Sequence, residues 1–245
     1  MQEIENLDTA SKIGALRDDV QEADLSRNVS NILEVLSKNR HENSTPARLI
    51  AVTKTVTPRI IDMLKPLNIL DIGENRVQVA LPKLTKIAPE FRLHWIGRLQ
   101  TNKVKYIIDY VCMLHTLDRL SLAQEVNRRA GESGRILPAL VQVNIAHEPQ
   151  KGGMAPEEVL PFLHQMRDFQ NLHVEGLMSI MPLEASEEEL HRLFRGMRQL
   201  FDQLRQDAPE GIEMRELSMG MSNDYAIAAS EGATMVRVGT ALYRK

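Results

Sequence analysis

Leu49-Ile50-Ala51-Val52-Thr53-Lys54-Thr55 decides how the chain reads. Its apolar, β-branched run predicts a short buried strand. Thr57-Pro58 comes closely after and reads as a helix start, with Thr57 as N-cap and Pro58 at the first helical position. A strand that leads at once into a helix is the repeating unit of an α/β fold. The lysine at the carboxyl end of the strand is in an unusual place. Losing water there favours its neutral amine, which can attack a carbonyl carbon. Taken alone, the stretch is described more simply by a lysine that reaches out to solvent.

The same alternation continues outward. Strands are expected at 49–54, 69–72, 93–96, 111–117, 140–145, 174–180, 216–219 and 235–238. Helices are expected between them at 58–67, 77–87 (interrupted by Pro82), 100–108, 119–130 (capped by Asp118), 156–169, 187–206 and 224–230. Ser186-Glu187-Glu188-Glu189 has the form of a capping box. Upstream, Ile13, Leu16, Val20, Leu25, Val29, Ile32, Leu33 and Leu36 recur at helical spacing and predict a helical arm over 12–38, packed on the outside of the downstream strands and helices. About eight short apolar strands alternating with helices indicate a single (β/α)8 TIM-type barrel spanning residues 1–245. A doubly wound open sheet is the runner-up.

Bulk properties exclude several classes. A net charge of -3 offers no basic face for nucleic acid. The only cysteine, Cys112, lies in an apolar run and builds neither a disulfide nor a thiolate zinc site. His94 and His115 lack metal-ligand spacing, so no metal is expected. There is no Gly-x-Gly-x-x-Gly or Walker A pattern and no apolar run near the ~20 residues of a membrane span. The acidic start, Met1 to Asn6, resembles no leader peptide, and cytoplasmic residence is the expectation.

In a barrel the chemistry sits at the carboxyl ends of the strands. Ser218-Met219-Gly220-Met221-Ser222-Asn223-Asp224 runs from a strand through a glycine turn to a helix start that Ser222 is placed to cap. Arg237-Val238-Gly239-Thr240 adds a guanidinium, a second glycine and a hydroxyl on the next strand. These are strands seven and eight, where barrels often bind phosphate. A strand-one lysine facing a phosphate site suits a phosphorylated aldehyde held as a Schiff base. Pyridoxal 5'-phosphate fits, as does a sugar phosphate in an aldolase.

Several longer motifs separate these. Ala51-Val52-Thr53-Lys54, Gly73-Glu74-Asn75-Arg76-Val77-Gln78, His94-Trp95-Ile96-Gly97-Arg98-Leu99-Gln100-Thr101-Asn102-Lys103, Gln142-Val143-Asn144-Ile145 and Gly176-Leu177-Met178, with the two segments near the end, closely resemble the pyridoxal phosphate homeostasis protein family. The resemblance runs from about residue 12 onward. That family is similar to the N-terminal barrel of alanine racemase, a fold-type III pyridoxal phosphate protein. The resemblance implies that Lys54 carries the cofactor as a Schiff base. It implies that Ser218, Gly220, Met221, Ser222, Arg237, Gly239 and Thr240 surround the phosphate, with Asn75 and His94 near the ring. It also implies a role in vitamin B6 balance, buffering the cofactor or delivering it to apo-enzymes. The closing Gly239-Thr240-Ala241-Leu242-Tyr243-Arg244 departs from the family's Gly-Thr-x-Ile-Phe-Gly pattern at its last glycine.

The alternative is an amino-acid racemase-like enzyme. It needs a second proton-transferring group opposite Lys54. In alanine racemase a tyrosine on a C-terminal β-domain supplies it. No such domain is expected in a sequence ending at Lys245, and Tyr225 is the one substitute. A binding protein without catalytic residues, monomeric or weakly dimeric, is therefore the expectation. Glu74 reads equally as a base or partner to a lysine and as a helix-start carboxylate. Arg98, Lys103 and Lys105 read as a solvated face, with Lys103 the one able to approach an anion. His147, Glu148 and Lys151 are expected to cover the mouth, Trp95 to pack, and Met219 and Met221 to pack beside the cofactor.

Overall fold

The computed structural model describes residues 15–42, 44–148 and 152–245. A helix, α1 (Glu22–Lys38), precedes eight strands: β1 (Arg48–Val52), β2 (Asp71–Glu74), β3 (Arg92–Trp95), β4 (Val111–Leu117), β5 (Leu137–Val143), β6 (Leu172–Ser179), β7 (Glu216–Ser218) and β8 (Met235–Val238). They pair in parallel, in chain order, and β8 closes on β1 through Ile50↔Arg237 and Ala51↔Val238. Between them run α2 (Pro58–Asp62), α3 (Val77–Leu84), α4 (Val104–Ile107), α5 (Leu120–Glu132), α6 (Pro156–Met166), α7 (Glu187–Asp207) and α8 (Tyr225–Ser230). The expected (β/α)8 barrel is the observed one.

Strand alternation divides the apolar side chains into two cores. Leu49 and Ala51 join the large core between sheet and helices, whereas Ile50 joins Met113, Leu140, Met178 and Met235 in a small cluster inside the barrel. Two-residue periodicity carries Val52, the last residue of β1, to the inner side with Ile50. The seam between β7 and β8 is the thinnest. It has one register pair, Ser218↔Met235, continued by Met219 N–H to Met235 O (3.1 Å) and Arg237 N–H to Gly220 O (3.0 Å).

Helix α1 buries Leu25, Val29, Ile32 and Leu36 as one stripe, and its Asn28 amide donates to Leu242 O (3.1 Å) and Arg244 O (2.8 Å). The arm thus covers the chain's last turn. The expected helix over 12–38 is shorter than predicted. Residues 12–14 lie outside the described residues, and 15–21 are not helical because β1's exit captures them. Arg17 N–H donates to Thr55 O (2.7 Å) and Arg17 O accepts from Thr57 N–H (3.1 Å). The helix expected over 100–108 splits into a 3-10 turn at Thr101–Lys103 and the short α4. Asp118 does not cap α5. Its carboxylate pairs with Arg119, which takes the N-cap position.

Candidate functional site

At the mouth of the barrel, Thr53 N–H makes the last β1 bond, to Gly73 O (3.0 Å), and Val56 N–H returns to Thr53 O (3.2 Å). Lys54 sits in this turn and is exposed. The loss of water expected of a lysine at a buried strand end is therefore not what holds it, because the chain leaves the sheet one residue earlier. The Gly239 loop lies against this end of β1: a Cβ on Gly239 would meet Val52 Cβ at 3.2 Å.

The loop after β7 turns at Gly220, whose φ of +92° suits glycine and whose added Cβ would meet Ala228 Cβ at 2.5 Å. Met221 N–H donates to Asp224 Oδ1 (2.5 Å). Burial pushes the Asp224 carboxyl up, against the pull of that amide and of Arg237. Ser222 does not cap α8. Its hydroxyl accepts from Gly239 N–H (3.2 Å) and Ala241 N–H (3.2 Å), which ties the β7 loop to the β8 loop. Among the described residues the amides of Ser222 and Thr240 have no acceptor, leaving donors on both sides of the seam. Past β1, at the end of β2, Asn75 Oδ1 is buried without a partner among the described residues. Gly97 makes that corner possible, since a Cβ there would meet Asn75 O at 2.3 Å.

Beneath the mouth a polar chain crosses the barrel. Arg237 Nη1 donates to Ser218 Oγ (2.6 Å) and Nη2 to Ser179 O (2.7 Å). Ser218 Oγ is 3.0 Å from His115 Nδ1, His115 Nε2 is 2.9 Å from His94 Nδ1, and His94 Nε2 is 2.9 Å from Asp71 Oδ1. Arg92 closes the chain with two bonds to Asp71 (2.8 and 2.6 Å). Burial would push Asp71 up, but His94 and Arg92 outweigh it and hold the carboxyl at about 2. Burial, reinforced by the charges of His94, Arg237 and Arg48, holds His115 well below the usual histidine range. Burial lowers Arg237 to about 10, so the guanidinium stays charged at neutrality.

The structure therefore brings Lys54, Asn75, Gly220, Met221, Ser222, Gly239 and Thr240 to one rim. Ser218, Arg237 and His94 lie below it in the polar chain. Glu74 is turned away from the mouth into a buried pair with Lys83. Sequence reasoning misses Lys83, although it follows Val79 and Ala80 on the apolar face of α3. It misses Asp71 too, whose partners come from β3. Lys103 and Lys105 pack on Tyr106, with Nζ 5.6 and 4.8 Å from the ring centroid. Asn144 Oδ1 accepts from Glu148 N–H (3.1 Å), while Lys151 lies outside the described residues. Trp95 is buried as expected. Cys112 is half-buried beside the inner apolar cluster, and desolvation, with the Asp71 charge, pushes its thiol up to about 12. Among the described residues there is no cluster of metal-ligating side chains, and no helix is long and apolar enough to cross a membrane.

A parallel barrel with a lysine after its first strand and amide donors after its last two defines a class. The chain belongs to the family described as "Alanine racemase, N-terminal domain", which matches residues 22–245. Within that class it stands with the pyridoxal phosphate homeostasis proteins. It is 38% identical to the protein of that name from Aquifex aeolicus over 221 residues, 88% of this chain and 95% of the relative. The structure of PipY from Synechococcus elongatus PCC7942 with PLP bound is 32% identical, with a TM-score of 0.79 over 90% of this chain and 100% of that one. Alanine racemase of Clostridium difficile 630 shares the fold, at 16% identity and a TM-score of 0.75, over 92% of this chain and 58% of that one.

Proposed function

We propose that this chain binds pyridoxal 5'-phosphate in the barrel mouth, with Lys54 as its covalent anchor, and serves intracellular vitamin B6 homeostasis by holding and releasing it. The carrying observation is the rim itself. It has an exposed amine after β1 beside two glycine loops that present amide donors across the β7–β8 seam. The buried, unpartnered Asn75 Oδ1 after β2, on the other side of β1 from these loops, fits a ring substituent that donates a hydrogen bond. The relatives' name and the PLP-bound PipY structure support the same ligand.

When bound, the cofactor supplies an aldehyde that condenses reversibly with an amine and a conjugated ring that absorbs light. The chain's own residues do the rest. The Ser222 and Thr240 amides hold the phosphate, and the Ser222 hydroxyl keeps the two loops together. Arg237 sets positive charge beneath them. The Lys54 amine faces the mouth, where water and other amines reach it, and this suits exchange with apo-enzymes. An amino-acid racemase needs a second proton-transferring group aligned with Lys54. Tyr225 instead packs on the core at the start of α8, its phenol pushed up by burial. A reservoir is thus the stronger reading, working in the cytoplasm as a monomer or weak dimer.

The test is an absorbance spectrum of the purified protein before and after adding pyridoxal phosphate, then borohydride reduction and peptide mapping. The expected product is a pyridoxyl group on Lys54. Lys54→Ala is expected to lose the covalent product while the loops retain weaker, dialysable binding. An unchanged spectrum in that variant would disprove the anchor.

A further inference from the structure

We propose that Glu74 and Lys83 are positioning residues for Lys54, acting through Thr53 as a buried clamp behind the turn that carries the amine; this rests on the cofactor reading above. Thr53 is fully buried with its hydroxyl on the Glu74–Lys83 pair, while Lys54, the next residue, is exposed. Thr53 Oγ1 donates to Glu74 Oε1 (2.7 Å). Lys83 Nζ donates to the same carboxylate oxygen (2.5 Å) and to Thr53 O (2.8 Å). Thr53 O also accepts from Val56 N–H, so Lys83 holds the carbonyl that opens the Lys54 turn.

Stability does not account for this arrangement. A buried ion pair is often no more stabilising than apolar residues of the same volume, whereas breaking one leaves an uncompensated charge. The side chains of Lys83 and Glu74 are 4% and 1% exposed. What the pair adds is direction: it fixes the hydroxyl and the carbonyl of the residue that immediately precedes Lys54. Among the described residues Glu74 Oε2 has no hydrogen-bond partner, so the carboxylate spends its bonding on the oxygen facing Thr53 and Lys83. The nearby Tyr243 phenol is likewise buried without a partner there, and burial followed by the Glu74 charge pushes it up.

The clamp should matter at the covalent step rather than at phosphate recognition. The Lys54 amine attacks the aldehyde carbon, a C=N bond forms, and the carbonyl oxygen leaves as water. That step depends on holding the amine against a carbonyl already anchored by the loops, and misplacement by about 1 Å costs such reactions up to about a hundredfold.

Thr53→Val keeps the volume and removes the hydroxyl. Thr53→Ser restores it. Glu74→Leu with Lys83→Met removes the pair without leaving one buried charge alone. For each protein, total binding is measured by equilibrium dialysis with pyridoxal phosphate, covalent product by borohydride trapping on Lys54, and Tm by calorimetry. The expected result for Thr53→Val and the double variant is a covalent yield or rate reduced about tenfold or more. Dialysable binding is kept, and Thr53→Ser recovers the yield. Wild-type covalent yield in both variants overturns the clamp, as does a loss of Tm, dialysable binding and covalent yield together. If the wild-type protein gives no covalent product, the cofactor reading falls first and the clamp with it. That outcome is distinct from failure in the variants alone.

Discussion

A guanidinium at one end and a carboxylate at the other give the polar chain inside the barrel a direction. Arg237 can only donate and ionised Asp71 can only accept. Between them, neutral His115 offers one donor and one acceptor to its two neighbours, His94 Nδ1 and Ser218 Oγ. Protonating His115 would set a second N–H against one of them, in a site where desolvation already penalises charge. The sign of the pH dependence is then fixed. A histidine depressed in the folded state contributes stability that is present above its unfolded value of about 6.5 and is lost on acidification below it. Asp71, depressed to about 2, adds the same sign at lower pH, below about 4. Urea unfolding should therefore show the folding equilibrium falling about tenfold per pH unit below 6.5 from His115 alone. His115→Gln, which keeps one donor and one acceptor, should flatten the slope between pH 6.5 and 5. An unchanged slope would refute the neutral assignment. Part of this chain is legible in the sequence, since Leu93-His94-Trp95 alternates apolar, polar, apolar. Its partners are not, because they come from four other strands and meet only when the barrel closes.

Elements whose pattern is set locally are legible in the sequence, and those whose ends depend on tertiary bonds are not. Helix α1 announces itself by a buried stripe with Glu22 and Asp24 in its first turn and Lys38 in its last. Its start differs from the periodicity because Arg17 pairs with Val56, a contact no local pattern encodes. Ser222 illustrates the same limit. A serine just before a short helix reads as a cap, yet its hydroxyl is taken by two amides of the β8 loop. Asp224, which the pattern puts inside the helix, occupies the N-cap position and bonds back to Met221. The Gly220 turn holds these bonds in place. Gly220→Ala would force a left-handed backbone on a residue with a Cβ and drive that Cβ into Ala228. Since φ above zero costs an ordinary residue roughly 1–2 kcal/mol before any clash, the variant should unfold at lower urea. It should also bind pyridoxal phosphate at least about tenfold more weakly. Dialysis against the ligand checks this. Wild-type affinity in the variant would mean that the loop does not hold the phosphate.

A closed barrel is only as tight as its weakest seam. Strands β5 and β6 share seven register pairs, from Leu137↔Leu172 to Val143↔Ser179, whereas β7 and β8 share Ser218↔Met235 alone. Bonds from Thr234, Met219 and Arg237 continue across that seam, and the Ser222 hydroxyl carries them on to the two loops at its mouth. A phosphate gripped by amides from both loops would add a further span there. Ligand binding should then stabilise the whole fold by mass action, by about 2.7 kcal/mol at a hundredfold excess over Kd. The protection should be uneven along the chain. Amide exchange is expected to slow most over 216–224 and 235–242, and little in β5 and β6, which share seven register pairs. Lys54→Ala should retain this local protection at higher ligand concentration, because the seam is bridged by phosphate contacts and not by the covalent bond. Inorganic phosphate at millimolar concentration should reproduce part of it. Uniform slowing across the barrel, or protection that vanishes with Lys54, would place the grip on the β1 side and refute the seam as the phosphate site.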